Sequence, residues 1–255
     1  MAKAPVRQRT LLSRELILEA AFRVVDADEA NEITMSRLGN ELGADPSAMY
    51  RHFRNKDELL LAMADVMLQE SLREYVEGAE PLENLRRMTW ALRTSYLRRP
   101  GLARAVAWRF TGGEAEAASI RHMLRDMGAL GYDENESIAR VRALAEMTLG
   151  HISMTADVLA LPRRTQIYEL QMAQAYYTQP LQPLPAATES DPRGGHLKDG
   201  DQVFATMLEI FLAGLVAESR GTGAARRGSS SRRRGSAMAA SRPVRGAAAK
   251  TPRSL

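Results

Sequence analysis

Apolar residues along the first 220 positions recur with helical spacing, and period-two runs rich in Val, Ile and Thr are missing, so the pattern predicts an all-α protein. Ser13 is placed to cap a first helix running to about Asp28, with Leu16, Ala20 and Val24 along one side and Ile17, Ala21 and Val25 beside them as a stripe for burial. After the polar break DADEANE, Thr34 caps a short helix to Leu42 that Gly43 ends, and Asp45 caps another whose first position is Pro46, where a missing N–H costs nothing. This second short helix holds Ser47 to Phe53 and stops at Arg54, because Asn55 and Glu58 form a capping-box arrangement for a long helix from Lys56 to about Glu77. Leu59, Met63, Val66 and Met67 give that helix a wide apolar surface, so it is expected to bridge the short helices and a larger body. Further helices are predicted at about 82–99, 101–110, 114–128, 133–161 and 163–177, punctuated by Pro100, Gly112, Gly113, Gly131 and Pro162. Residues 178–200 carry four Pro and three Gly without periodicity and are expected to form a long loop, functional or mobile. The last helix, 201–219, has more apolar surface than one core-facing stripe requires, which predicts packing against a partner chain.

Composition narrows the class. The chain has 255 residues, 45% apolar and 26% charged, the balance of a soluble globular protein. With no Cys, disulfides, thiolate zinc sites and cysteine nucleophiles are excluded, and a reducing compartment such as the cytoplasm fits. The start has no apolar run of signal length, and the most apolar late stretch, Met207 to Val216, is interrupted by Glu209 and reads as too short to span a bilayer, so no membrane association is expected. The net charge of +4 hides an asymmetry: residues 221–255 hold nine Arg or Lys and no acid, leaving 26 basic against 31 acidic residues before them. Rich in Ala, Ser and Gly, this tail cannot bury enough surface to offset its ordering entropy and is expected to be disordered. It suits either a polycationic arm on DNA phosphates or a solvated, solubilising tail.

A helix, a three-residue turn and a short second helix make a helix-turn-helix, the unit that lays its second helix in a DNA major groove. Tyr50, Arg51 and His52, beside Arg54 and Lys56, offer phosphate ligands and base-edge donors at one end of that unit; a solvated helix face would look similar. The stretch Ile33 to Leu60, ITMSRLGNELGADPSAMYRHFRNKDELL, resembles the DNA-binding motif of the TetR family of bacterial transcriptional regulators in its capping Thr, its Leu-Gly before the turn, its Tyr-x-His-Phe ending and its Lys-Asp-Glu-Leu-Leu opening of the next helix. The likeness extends more loosely to ILEAAFRVV in the first helix. It implies Thr34, Tyr50 and Lys56 as phosphate contacts and Ser47, Ala48, Arg51 and His52 as positions facing or near the groove, with Leu38, Leu42, Met49 and Phe53 as core. Glu29, where many members have Gly, and Ala44, where they have a larger apolar residue, depart from the pattern.

In the C-terminal body, EMTLGHISMTAD at 146–157 resembles the long dimerisation helix of the tetracycline-repressor-like branch. That resemblance implies a homodimer built on helices 133–161 and 201–219, a small-molecule effector bound in the body, and a double-stranded pseudo-palindromic operator. The expected organisation is a helix-turn-helix domain at 1–55, a ligand-binding and dimerisation domain at 56–220 and the basic tail at 221–255. Ala105 stands where the branch has a metal-binding His, so a metal-chelated tetracycline is not implied. Trp90, Trp108, Phe110, Met123, Met127, Met147, His151 and Met154 are candidates to line an effector cavity, since Met adapts its shape and few polar groups orient an apolar or aromatic ligand; plain core packing accounts for the same residues. No His pair has metal-ligand spacing, and no G-x-S-x-G, H-E-x-x-H or P-loop is present, so neither a metal, a cofactor nor catalysis is expected. The leading reading is a ligand-responsive repressor; the alternatives are a non-specific DNA-compacting protein relying on its basic tail, and a helical small-molecule binder or enzyme with no DNA role.

Overall fold

The computed structural model describes residues 12–27, 33–178 and 199–219; the expected tail, most of the expected 178–200 loop and residues 28–32 of the 26–32 break, with Glu29, lie outside them. The chain divides at Leu212. The first unit, Met1–Leu212, carries everything discussed below, and the described part of the second, 213–219, is the continuation of the last helix. Among the described residues all regular structure is helical.

Helix α1 (Arg14–Asp26) begins where Ser13 accepts a hydrogen bond from the Leu16 amide at 3.2 Å, and it buries Ile17, Ala20, Ala21, Val24 and Val25. Leu16, expected in the stripe, is 36% exposed because it stands roughly 100° around the helix from Ile17. Helix α2 (Met35–Leu42) is capped by Thr34, which accepts from the Arg37 amide, and Gly43 closes it with a left-handed φ of 59° that glycine adopts without a Cβ clash. Helix α3 (Pro46–Met49) starts on the Asp45 carboxylate, 2.8 Å from the Ser47 amide. It is shorter than the sequence predicts. Tyr50, Arg51 and His52 form a turn in which the His52 and Phe53 amides both donate to the Met49 carbonyl, because Phe53 must enter the core, fully buried, before Asn55 can cap the next helix.

Helix α4 (Lys56–Leu72) opens with half of the expected capping box: Asn55 accepts from the Glu58 amide at 2.8 Å, while the Glu58 carboxylate takes the Arg54 amide instead of that of Asn55. It ends five residues before the expected Glu77. Buried Asn84 bonds both backbone groups of Val76, at 3.1 and 2.8 Å, and residues 73–79 continue in backbone turns and not in α-helical bonds. Helices α5 (Pro81–Leu97), α6 (Pro100–Val106), α7 (Glu114–Ala129), α8 (Glu134–Leu159) and α9 (Arg163–Thr178) follow, close to their expected spans except for α6, which stops four residues before the expected 110 where the Arg109 amide turns back to the Val106 carbonyl. Asp133 and Glu136 form a complete capping box on α8. The N-terminus of α7 is capped from outside: Asp65 on α4 accepts from the amides of Ala115 and Glu116, and a Cβ on Gly113 would lie 2.1 Å from that carboxylate.

A single core runs from Ile17, Val25, Leu38 and Phe53 through Leu59, Met63 and Met67 of α4 to Leu102 and Val106 of α6 and Ile152, Ala156 and Leu159 of α8. Outside it, Arg99 holds Asp26 at 2.5 and 2.9 Å and lies 4.7 Å from the ring centre of Phe22, joining the α5–α6 corner to α1.

The last helix, α10, spans Asp199–Ser219. Its apolar surface is longer than the Met207–Val216 stretch suggested: with few of its residues buried, it is long and apolar enough to cross a membrane by length and composition. Phe204, Leu208 and Leu212 are buried, Glu209 forms a two-point ion pair with Arg86 of α5, and Val203 and Ile210 are exposed.

Candidate DNA-reading face and effector region

The expected polar contact residues belong to the α2–α3 unit, the turn after it and the start of α4. Thr34, Ser47, Tyr50, Arg51 and Lys56 are exposed, and Ala48 and His52 half-buried. Leu38, Met49 and Phe53, beneath them, are fully buried and fix the backbone from which those side chains project, while Leu42 is only half-buried. Thr34 already spends an acceptor lone pair on the Arg37 amide, which leaves its hydroxyl hydrogen available to a phosphate. Lys56 stands at the first position of α4, where the backbone amides and the helix dipole add to its charge. Tyr50, Arg51 and His52 lie in the turn that follows α3, not on that helix as expected.

Sequence reasoning missed Arg14. Its Nη1 donates to the His52 carbonyl at 2.8 Å and to Glu58 Oε1 at 3.0 Å, and its guanidinium lies 4.1 Å from the Phe53 ring centre. It thus holds the Tyr50–Arg54 turn from the start of α1. The Arg54 amide, and then Arg14, keep the Glu58 carboxyl below its ordinary value, so it is ionised throughout the physiological range. A partner 38 residues away leaves no local trace in sequence.

The eight effector candidates do not gather round one cavity. Trp90 of α5 and His151 of α8, both half-buried, meet at buried Phe204 of α10, with ring centres 4.9 Å (edge-on) and 5.3 Å from it. Met127 is fully buried core, Met123 and Met147 are half-buried, and Trp108, Phe110 and Met154 are 74%, 83% and 73% exposed. Trp108 and Phe110 sit in the turn after α6, where Gly112 and Gly113 carry the chain towards α7, and Met154 projects from the outer side of α8. Trp90 alone of the eight lines an open cleft of about 390 Å³ along α5, with Glu70, Arg87, Thr94, Ser95 and Arg98. The residues that complete the Trp90–His151 group, Phe204, Arg93 and Asp201, were not among the candidates. Arg93 is 3% exposed and ion-paired with Asp201. Burial, then the Arg93 charge, lowers the His151 pKa below 6.5, so this imidazole is neutral at pH 7.

Known proteins share both halves of this arrangement. The family described as bacterial regulatory proteins, tetR family, matches residues 17–63, and the tetracyclin repressor-like C-terminal domain matches 78–219. An HTH-type transcriptional repressor of Mycobacterium tuberculosis is 32% identical over 98 residues, 38% of each chain, so the match spans well under half the length of that curated relative. A structural-genomics crystal structure from Streptomyces coelicolor A3(2) is 27% identical, covers 82% of this chain and 99% of its own, and superposes with a TM-score of 0.63. ActR of the same species, in complex with actinorhodin, shares the fold at 22% identity and TM-score 0.62, covering 82% of this chain and 99% of its own.

Proposed function

The chain belongs to the tetR family of bacterial regulatory proteins, and from that membership we propose that it is a ligand-responsive, sequence-specific transcriptional repressor working in the cytoplasm. The observation that carries this reading is the Tyr50–Lys56 surface, an exposed set of phosphate and base-edge ligands on a backbone fixed by buried Phe53 and by Arg14. Lys56, Tyr50 and Thr34 take phosphates and set the register, while Arg51 and His52 read base edges, with Ser47 and Ala48 close to the groove.

A homodimer supplies two such surfaces to a pseudo-palindrome whose half-sites lie about 34–36 Å, one helical turn, apart or a multiple of that. The exposed apolar side chains Ile138 and Met154 on α8 and Val203 and Ile210 on α10 support an interface there. An aromatic or apolar effector bound around Trp90 and His151 releases the operator. Helix α4 touches both regions, since its first turn carries Lys56 and its later residues pack against α5 and α7. A ligand favouring a tilted α4 weakens operator binding by the free energy it gains from the tilt, typically about 1 to 3 kcal/mol.

A footprint over the upstream region of its own gene, at physiological salt, tests the reading. One protected pseudo-palindrome is the expected result. Uniform coverage without a preferred site refutes it in favour of non-specific compaction.

A further inference from the structure

The first turn of α4, proposed above to meet the DNA backbone, is an acidic place to receive a phosphate. Lys56 is followed at once by Asp57 and Glu58. Two carboxylates there suit the helix dipole, but they repel the phosphate that the same dipole attracts. Glu58 is covered from within the head, since the Arg54 amide donates to its Oε2 at 2.8 Å and Arg14 Nη1 to its Oε1 at 3.0 Å. Asp57 takes its cation from elsewhere. Arg109 Nη1 lies 3.5 Å from Asp57 Oδ1, and Arg109 belongs to the turn between α6 and α7, in the body.

That turn is seated along α4. Thr111 Oγ1 donates to Asp65 Oδ1 at 3.1 Å, and the Ala115 and Glu116 amides reach the same carboxylate. Asp57 and Asp65 are eight residues, about 12 Å, apart along the helix, so the turn and the start of α7 touch α4 near its beginning and again near its middle. Arg109 is held in place by its own amide, which donates to the Val106 carbonyl at 2.9 Å, and its guanidinium carbon lies 5.9 Å from the ring centre of Trp108. Its side chain is 24% exposed and that of Asp57 is 66% exposed. An ion pair this open adds little to stability. What it alters is the charge that a phosphate meets at the start of α4.

We infer that Arg109 is a positioning residue for DNA binding: it acts through Asp57, screening that carboxylate from the phosphate taken by Lys56. The inference rests on the assignment of Lys56 to the DNA backbone, and it makes a residue of the body part of the DNA-binding face. Arg109 need not touch DNA to do this. Uncovering one carboxylate within a Debye length of a phosphate lowers affinity by about 5-fold, and it does so on every sequence alike, because the partner is backbone and not base. The reading face is therefore complete only while the α6–α7 turn stays docked on α4.

The test follows binding of the full chain to the footprinted operator and to a random-sequence duplex by fluorescence anisotropy. At about 0.1 M salt Arg109→Gln is expected to weaken both about 5-fold, and the deficit narrows as salt rises to about 0.3 M. Arg109→Lys, which keeps the charge, stays within about twofold of wild type. Asp57→Asn breaks the same ion pair but removes the charge that it covers, so it binds as tightly as wild type or more tightly. In the Asp57→Asn background Arg109→Gln costs less than about twofold, a rescue that a misfolded variant could not show. Equal losses from Arg109→Gln and Asp57→Asn would mean that the pair only fastens the turn to α4. A loss from Arg109→Gln that persists in the Asp57→Asn background would mean that Arg109 grips DNA itself. Either result, or no loss at all, overturns the proposal. A footprint without a preferred site refutes the repressor reading and leaves the charge test readable on the random duplex; a wild type that binds neither DNA overturns both.

Discussion

Asp126 gives the structure a pH signature that can be worked through. It lies on α7, 4% exposed, with Oδ2 lacking any hydrogen-bond partner. Burial raises its pKa from 3.8 to about 6, against the opposing hydrogen bonds of Asn84 and Tyr75. A carboxyl raised on folding destabilises the native state when ionised. The penalty is absent below the unfolded value of 3.8, grows as pH rises, and is complete above about 6. At 1.36 kcal/mol per pKa unit the shift sets an upper limit of about 3 kcal/mol; screening by the partly wet surroundings reduces this to about 1–2. Asp126→Asn removes the titration and keeps a carbonyl oxygen for Asn84 and Tyr75. Relative to wild type, the variant should therefore be more stable at pH 7.5 than at pH 4.5 by about 1–2 kcal/mol, read from urea unfolding at both values. Nearby His122 works in the opposite sense, because burial lowers its pKa and stability falls as pH drops below 6.5. It is present in both proteins and cancels in the difference. A stability difference that is the same at the two pH values, or larger at 4.5, refutes the argument.

Phe53→Ala empties a fully buried ring site beneath the reading turn and should cost about 3–5 kcal/mol, with loss of operator binding, as measured by thermal unfolding and gel shift. Gly113→Ala drives a methyl into Asp65, breaks the cap that α4 places on α7, and should lower stability by about 1–2 kcal/mol, a loss that Asp65→Ala in the same background does not double. Lys56→Ala is expected to weaken binding to every DNA sequence alike, whereas Arg51→Ala changes site preference; a selection from randomised half-sites distinguishes them, and a Lys56 variant altered only in base preference contradicts the assignment.

The elements that local rules govern were legible in the sequence. Ser13, Thr34, Asp45 and Asn55 cap the helices they were expected to cap, since a cap is a contact between residues two or three apart. The stops of α3 and α4 were not, because each is decided at a distance: Phe53 turns into a core assembled by α1 and α4, and Asn84 takes over the backbone of Val76. The exposed polar residues of the reading surface carried a recognisable spacing. The Trp90–His151 group did not: Arg93, His151 and Phe204 meet from three helices, and the Met residues stand in the core and on the outer side of α8 alike.

The absence of a seam in the core between Ile17 and Leu159 bears on how such regulators diversify. A reading head that shares its interior with the body is not a cassette. A recombination joint near residue 55 leaves Phe22 and Asp26 on one parent and Arg99, Leu102 and Val106 on the other, and the hybrid inherits a cation without its acid and a ring without its cover. A change of operator preference is therefore expected to cost less by substitution on the exposed surface around Tyr50 and Arg51 than by exchange of the whole head, because a change at 22, 26 or 99 strands its partner.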